Sequence, residues 1–225
     1  MHTSSDKPDK PDILDRPDKP KGGFDQPREV WNSRFDTPEF LFGQAPNAYL
    51  VSQRHLLRPG RALAIADGEG RNSVWLAEQG CTVDAFDISD VAIEKARRFA
   101  ADRGVAVNFQ CCGYEDFAWK AGHYDLVVGI FFQFATPAMR AELFEKMATS
   151  LKPGGLVVIQ GYTAKQLEYK TGGPNKLDHL YDEQMIREGF PGFTWLDLRC
   201  YEAELSEGSG HSGMSALLGA VGRKS

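Results

Sequence analysis

A short apolar run, Leu63 to Ala66, breaks into Asp67-Gly68-Glu69-Gly70, and an acid, Asp87, closes the next apolar segment. No other feature constrains this chain as much. Leu63–Ala66 reads as a buried strand. Gly68-x-Gly70 lets bare backbone pass close to a ligand. A helical pattern runs from Arg71 to about Gln79 and stops at Gly80. A second strand, Thr82 to Phe86, delivers Asp87, 19 residues after Gly68. That is close to the spacing of a carboxylate that binds a ribose diol. Strand, glycine loop, helix, strand and acid make the first half of a nucleotide-cofactor site. A dinucleotide fingerprint needs a third glycine, and position 73 is Ser, so that fingerprint is incomplete. The plain alternative is a tight turn with Asp87 capping the next helix. Ser89 or Asp90, directly before Val91, is better placed to cap.

Strands and helices keep alternating past Asp87. Ala92, Ala96, Phe99 and Ala100 share a face, so Asp90 to Arg103 reads as an amphipathic helix. Val105–Cys111 reads as a third strand. The run 126–132 is nearly all apolar and reads as a fourth, buried on both faces. Pro137 opens a helix, and 156–160 follows the Lys152-Pro153-Gly154-Gly155 turn as a fifth strand. Another helix is expected near Asp182–Glu188. Two extended segments, about Thr194–Leu205 and Met214–Gly222, close the chain, with a Gly-rich stretch, 207–213, between them. Strands separated by helices pair in parallel through right-handed crossovers, and a short link suits an antiparallel hairpin. The fold class expected is α/β: a Rossmann-like seven-stranded sheet, five parallel strands plus a C-terminal antiparallel hairpin, with helices on both faces.

Residues 1–23 differ in composition. Lys, Asp and Pro dominate, no apolar patch is available to bury, and a disordered tail is expected. The stretch resembles neither a secretory signal nor a transit peptide. The domain is expected over residues 24–225. Its first part, 24–60, is rich in aromatics (Trp31, Phe35, Phe40, Phe42, Tyr49) and is expected to hold a helix from Ala48 to about Leu57 and to pack on the core or lie over the cofactor mouth as a lid. The net charge is −5, so no basic footprint argues for nucleic acid. No apolar run has membrane-spanning length. The four Cys and five His show no metal-ligand spacing, and the cysteines read as free thiols in a reducing cytoplasm. A monomer or homodimer is expected.

Four segments together carry a resemblance: Gly68 to Ala77, Asp87-Ile88-Ser89, Tyr124-Asp125-Leu126-Val127, and Leu151 to Gly155. In order and spacing the chain resembles the class I S-adenosylmethionine-dependent methyltransferases over about residues 30–225, and the small bacterial group similar to the tellurite-resistance protein TehB most of all. The resemblance implies S-adenosyl-L-methionine as cofactor. It places Gly68, Glu69 and Gly70 at the methionine end, Asp87 on the ribose hydroxyls and Ile88 on the adenine, and Asn72 is a further cofactor-binding candidate. Glu115 and Asp116 match the place that holds the adenine amino group, with Tyr114 lining the slot, and Phe131 matches the floor beside the reactive methyl. The chain also departs from the pattern. Many relatives carry an acid and a further glycine where this chain has Ala64 and Ala66; either another group holds the cofactor's ammonium, Glu69 and Asp67 being the candidates, or the cofactor binds more weakly.

On the acceptor side, Tyr162 lies at a carboxyl end of the sheet and His211 lies between the last strands. Both are substrate-side candidates. Their plain alternatives are strand-end packing and a solvent-exposed loop. No residue is forced into the part of a general base, which suits a small thiol or chalcogen acceptor. The other functions open at this level are a cofactor-binding protein without turnover and a nicotinamide-dependent oxidoreductase. The missing third glycine and the lack of a separate substrate domain count against the last.

Overall fold

The computed structural model describes residues 26–225. The Lys-, Asp- and Pro-rich residues 1–23 lie outside the described residues. Helices α1 (Pro27–Phe35) and α2 (Ala48–Ser52) precede β1 (Arg61–Ile65). Then follow α3 (Arg71–Glu78), β2 (Thr82–Asp87), α4 (Asp90–Asp102), β3 (Val107–Cys111), β4 (Tyr124–Ile130) and α5 (Pro137–Ser150). The chain ends with β5 (Leu151–Tyr162), α6 (Gln166–Tyr169), α7 (Glu183–Gly189), β6 (Phe193–Glu207) and β7 (His211–Lys224). The seven strands form one sheet in the order β3-β2-β1-β4-β5-β7-β6. The first five pair in parallel, and β7 runs antiparallel between β5 and β6. This is the architecture the sequence implied.

Alternation along β1 explains the layers. Leu63 and Ile65 face a cluster with Phe132, Phe144 and Met147. Ala62 faces the other side with Leu76, and Ala64 packs there with Val74, Ile93 and Ala96. Small alanines on that face let α3 and α4 come close. Ser89 caps α4 by accepting from the Ala92 N–H at 3.1 Å, as the sequence suggested.

Three local expectations need correction. The Lys152–Gly155 turn is absorbed into a twelve-residue β5, with a register shift opposite Tyr124 and Leu126. The Gly-rich stretch 207–213 is mostly strand: Glu207 pairs with His211 across a tight turn. His211 is therefore no exposed loop residue but 7% exposed. Helix α2 is also shorter than a helix from Ala48 to Leu57, giving way to a 3-10 turn at Arg54–Leu56.

The strand order reverses at β1, with β2 on one side and β4 on the other. In open α/β sheets the ligand crevice lies at such a switch point, beyond the carboxyl ends of the strands. Two non-glycine residues adopt positive φ there: Ala66 (46°) after β1 and Phe131 (55°) after β4. Such conformations cost of order 1–3 kcal/mol and persist where the surroundings demand them.

Candidate cofactor cleft and acceptor side

The turn after β1 is built for close approach. Gly70 has φ 86°, and a Cβ there would stand 2.8 Å from the Ala96 Cβ, so only glycine lets α3 pack on α4. Gly68 has φ 57° and lies under the Phe35 ring, 3.2 Å from where its Cβ would be. Its N–H donates to Asp87 Oδ2 at 2.9 Å, while the Ser89 N–H donates to Oδ1 at 2.9 Å. A carboxylate offers about four lone-pair sites, so two remain for hydroxyls. Burial pushes the Asp87 carboxyl up to about 6, against the pull of those backbone donors. A desolvated carboxylate with spare acceptor capacity at the end of β2 is a ready seat for a vicinal diol.

Glu69 is buried and faces the lead-in. Its Oε2 accepts from the Leu41 N–H at 2.8 Å, and its Oε1 lies 2.5 Å from Lys95 Nζ. That ammonium, on α4, also reaches the carbonyls of Phe35, Thr37 and Glu39 at 2.8–3.1 Å. Asn72 accepts from the Asn47 N–H at 2.9 Å. The segment from Phe35 to Asn47 is thus clipped onto the glycine loop. A void of only about 10 Å³ remains between Phe42, Gly43, Asp67, Glu69 and Arg71. That is room for about one water. A larger cavity of about 350 Å³, lined by Trp119, Lys120, Glu142 and Lys146 among others, includes none of the sequence-derived site residues.

The acceptor-side candidates meet. The His211 ring lies 4.2 Å from Phe131, 4.5 Å from Phe42 and 5.6 Å from Tyr162, centroid to centroid. Its Nδ1 is 3.5 Å from Glu207 Oε2, which accepts from Arg71 at 2.8 Å. Asn47 Nδ2 donates to Glu207 Oε1 at 2.9 Å and to Gln160 Oε1 at 2.6 Å. Burial raises Glu207, but His211 and Arg71 outweigh it and hold the carboxyl at about 2. Burial also lowers the His211 pKa, against the raising effect of Glu207, and Arg71 adds to the lowering. Burial thus favours the uncharged imidazole, beside an ionised carboxylate. The Tyr162 hydroxyl is buried and finds no hydrogen bond of ordinary geometry among the described residues.

The adenine side is less closed. Glu115 and Asp116 are exposed in the loop after β3, and Ile88 stands beside Gly113. Tyr114 turns into the core, its hydroxyl donating to Glu142 at 3.2 Å, and burial first, then neighbouring acids, raise it to about 12. Sequence reasoning missed Arg71, Lys95, Asn47 and Glu207. Arg71 adjoins the glycine loop and was open to suspicion. Lys95 and Glu207 look like solvated charges in a sequence, and only the fold turns them inward.

Residues 62–155 match the family model described as a methyltransferase domain. Among solved structures, TehB from Haemophilus influenzae superposes with TM-score 0.67 at 17% identity, covering 88% of this chain and 67% of that one. A structure described as "Conversion of a Disulfide Bond into a Thioacetal Group during Echinomycin Biosynthesis" gives TM-score 0.68 at 20% identity, covering 88% and 92%. A curated relative, the N-terminal Xaa-Pro-Lys N-methyltransferase 1 of Mus musculus, is 29% identical over 86 residues. That match covers 37% of this chain and 39% of the relative, so the chain matches well under half of the relative's length. Residues 62–155 are thus similar to a methyltransferase domain, and the fold is that of the class of S-adenosylmethionine-dependent methyltransferases found among the solved structures. In fold the chain is similar to TehB.

The residues present fit the cofactor that this class uses. Asp87 has acceptor capacity for the ribose, and the void at the glycine loop carries both signs of charge, Arg71 against Asp67 and Glu69. A zwitterionic amino-acid end needs that pairing.

Proposed function

We propose that this chain binds S-adenosyl-L-methionine and transfers its methyl group to a compact small-molecule acceptor, a thiol or chalcogen compound. The observation that carries the reading is Asp87, desolvated, oriented by two backbone N–H groups and set across from Gly68 at the switch point of the sheet. The bound cofactor supplies a methyl group on a positively charged sulfur. The chain's own part is to hold, align and keep dry. Asp87 takes the ribose hydroxyls. Phe131, Phe42, Tyr162 and His211 form an aromatic wall on the acceptor side. An apolar wall lowers the local dielectric around a cationic sulfur and favours a soft, polarisable nucleophile. A thiol is ionised by a few per cent at neutral pH and asks for little base. The His211 imidazole accepts the residual proton, with the Glu207 carboxylate 3.5 Å from its Nδ1.

The lead-in from Phe35 to Asn47 is a lid in this reading, because a water-sized void has no room for a nucleoside. It opens to admit the cofactor and closes to exclude water. The test is release of S-adenosylhomocysteine from S-adenosylmethionine with a panel of acceptors: low-molecular-weight thiols, tellurite and selenite, a catechol, an amine and an N-terminal Xaa-Pro-Lys peptide. Turnover restricted to the thiols or chalcogen compounds supports the proposal. Turnover restricted to the peptide would move it to the kind of acceptor named for the mouse relative. Cofactor binding without any turnover would favour a binding protein, and binding of NAD in its place an oxidoreductase.

A further inference from the structure

The reading of the cleft as an S-adenosylmethionine site leaves one polar group without an assigned holder, the ammonium of the amino-acid end. We propose that Asp67, facing Arg71 across the small void, holds that ammonium in place of an acid at position 64. Position 64 is Ala, 1% exposed in the middle of the sheet, and contributes no polar side-chain atom. The acids nearest in sequence to that end of β1 are Asp67 and Glu69, and the structure separates them. Both Glu69 oxygens are occupied, one by Lys95 and one by the Leu41 N–H. Asp67 accepts the Ser73 hydroxyl, and its side chain borders the void together with Arg71, Phe42 and Gly43.

The backbone aims it there. Asp67 stands between two residues in the left-handed region, Ala66 at φ 46° and Gly68 at φ 57°. Its N–H donates to the Phe86 carbonyl at 3.1 Å and its own carbonyl accepts from the Gly70 N–H at 3.2 Å. The turn is therefore pinned at both ends, and the residue as a whole stays half-buried at the edge of the void. Among the described residues no cation is given over to it: the Arg71 guanidinium is taken by Glu207 and the Phe42 carbonyl. Crowding by protein atoms pushes the Asp67 carboxyl up to about 7, with the Ser73 hydroxyl opposing. A positive charge on the ligand would supply what the carboxylate lacks. The competing reading, a carboxylate that steadies the first turn of α3 through Ser73, makes a different forecast.

The experiment is calorimetry on the full chain with two ligands. S-adenosylhomocysteine carries the amino-acid end, and 5′-methylthioadenosine lacks it. Asp67→Asn keeps an acceptor for Ser73 and removes the charge. It is expected to weaken S-adenosylhomocysteine tenfold or more and to leave 5′-methylthioadenosine within twofold. Equal weakening of both ligands, or of neither, overturns the assignment to Asp67. Should the variant fail to fold, the unaltered protein decides: an S-adenosylhomocysteine analogue with hydrogen in place of the amino group is expected to bind at least tenfold more weakly, and equal binding overturns the proposal. If the unaltered protein binds neither nucleoside, the cofactor reading itself fails, and this assignment with it.

Discussion

Single side chains decide the chemistry of the cleft, and Asp87 is the clearest. With Asp87 as the proposed ribose holder, Asp87→Ala is expected to lose a charge-assisted pair of hydrogen bonds, about 2–3 kcal/mol in S-adenosylhomocysteine binding. Calorimetry on the folded variant measures it, and unchanged affinity would assign the ribose elsewhere. The same carboxylate links stability to pH. Its folded pKa, about 6, is raised above the ordinary value of 3.8. A raised carboxyl contributes stability while protonated and loses it as pH rises from about 4 through 6. Ligand-free Asp87→Asn should therefore show a smaller fall of melting temperature across that window than the parent. Glu207, held at about 2, works in the opposite sense and in a lower window, so the difference between the two proteins is the quantity to read. The meeting of the Gly68–Gly70 turn with Asp87 was legible because the spacing is local. His211 was legible as a candidate, but its burial was not: that comes from Phe42 and Phe131, distant in sequence.

At the scale of elements, the glycine loop and the lead-in matter most. Gly70→Ala forces a left-handed alanine and a Cβ contact of 2.8 Å with Ala96. A destabilisation of about 2–4 kcal/mol is expected in denaturant unfolding. Lys95 ties the lead-in down through three carbonyls and the buried Glu69. Lys95→Met should speed hydrogen exchange at residues 36–43 and raise the rate at which S-adenosylhomocysteine dissociates. Unchanged protection of those amides would mean that the aromatic contacts alone close the cleft. Helix α1 was hidden from sequence reading for a physical reason. Only Phe35 of its nine residues is buried, so it carries almost no apolar periodicity. It forms because Pro27 starts it and its end docks on α4 and the Gly68 turn.

Across the whole molecule, the sheet brings β1, β2, β4, β5 and β7 to one cleft, and the acceptor prediction belongs at that level. A small thiol should be methylated faster as pH rises through its own ionisation, and His211→Ala should lower kcat only severalfold. A loss of several hundredfold, with cofactor affinity intact, would make His211 an essential base for an oxygen or nitrogen acceptor. None of the described helices is long and apolar enough to cross a membrane. The sequence alone determined the order of strands and helices, the parallel sheet with its closing hairpin, and the glycine loop with Asp87. Those signals sit in hydrophobic period and in spacings of a few to twenty residues, which the chain carries before it folds. The tertiary structure alone decided which charges turn inward. Lys95, Arg71, Glu207 and Asn47 form their network only when α4, α3, the last hairpin and the lead-in converge, and no local pattern encodes a meeting between residues up to 160 positions apart.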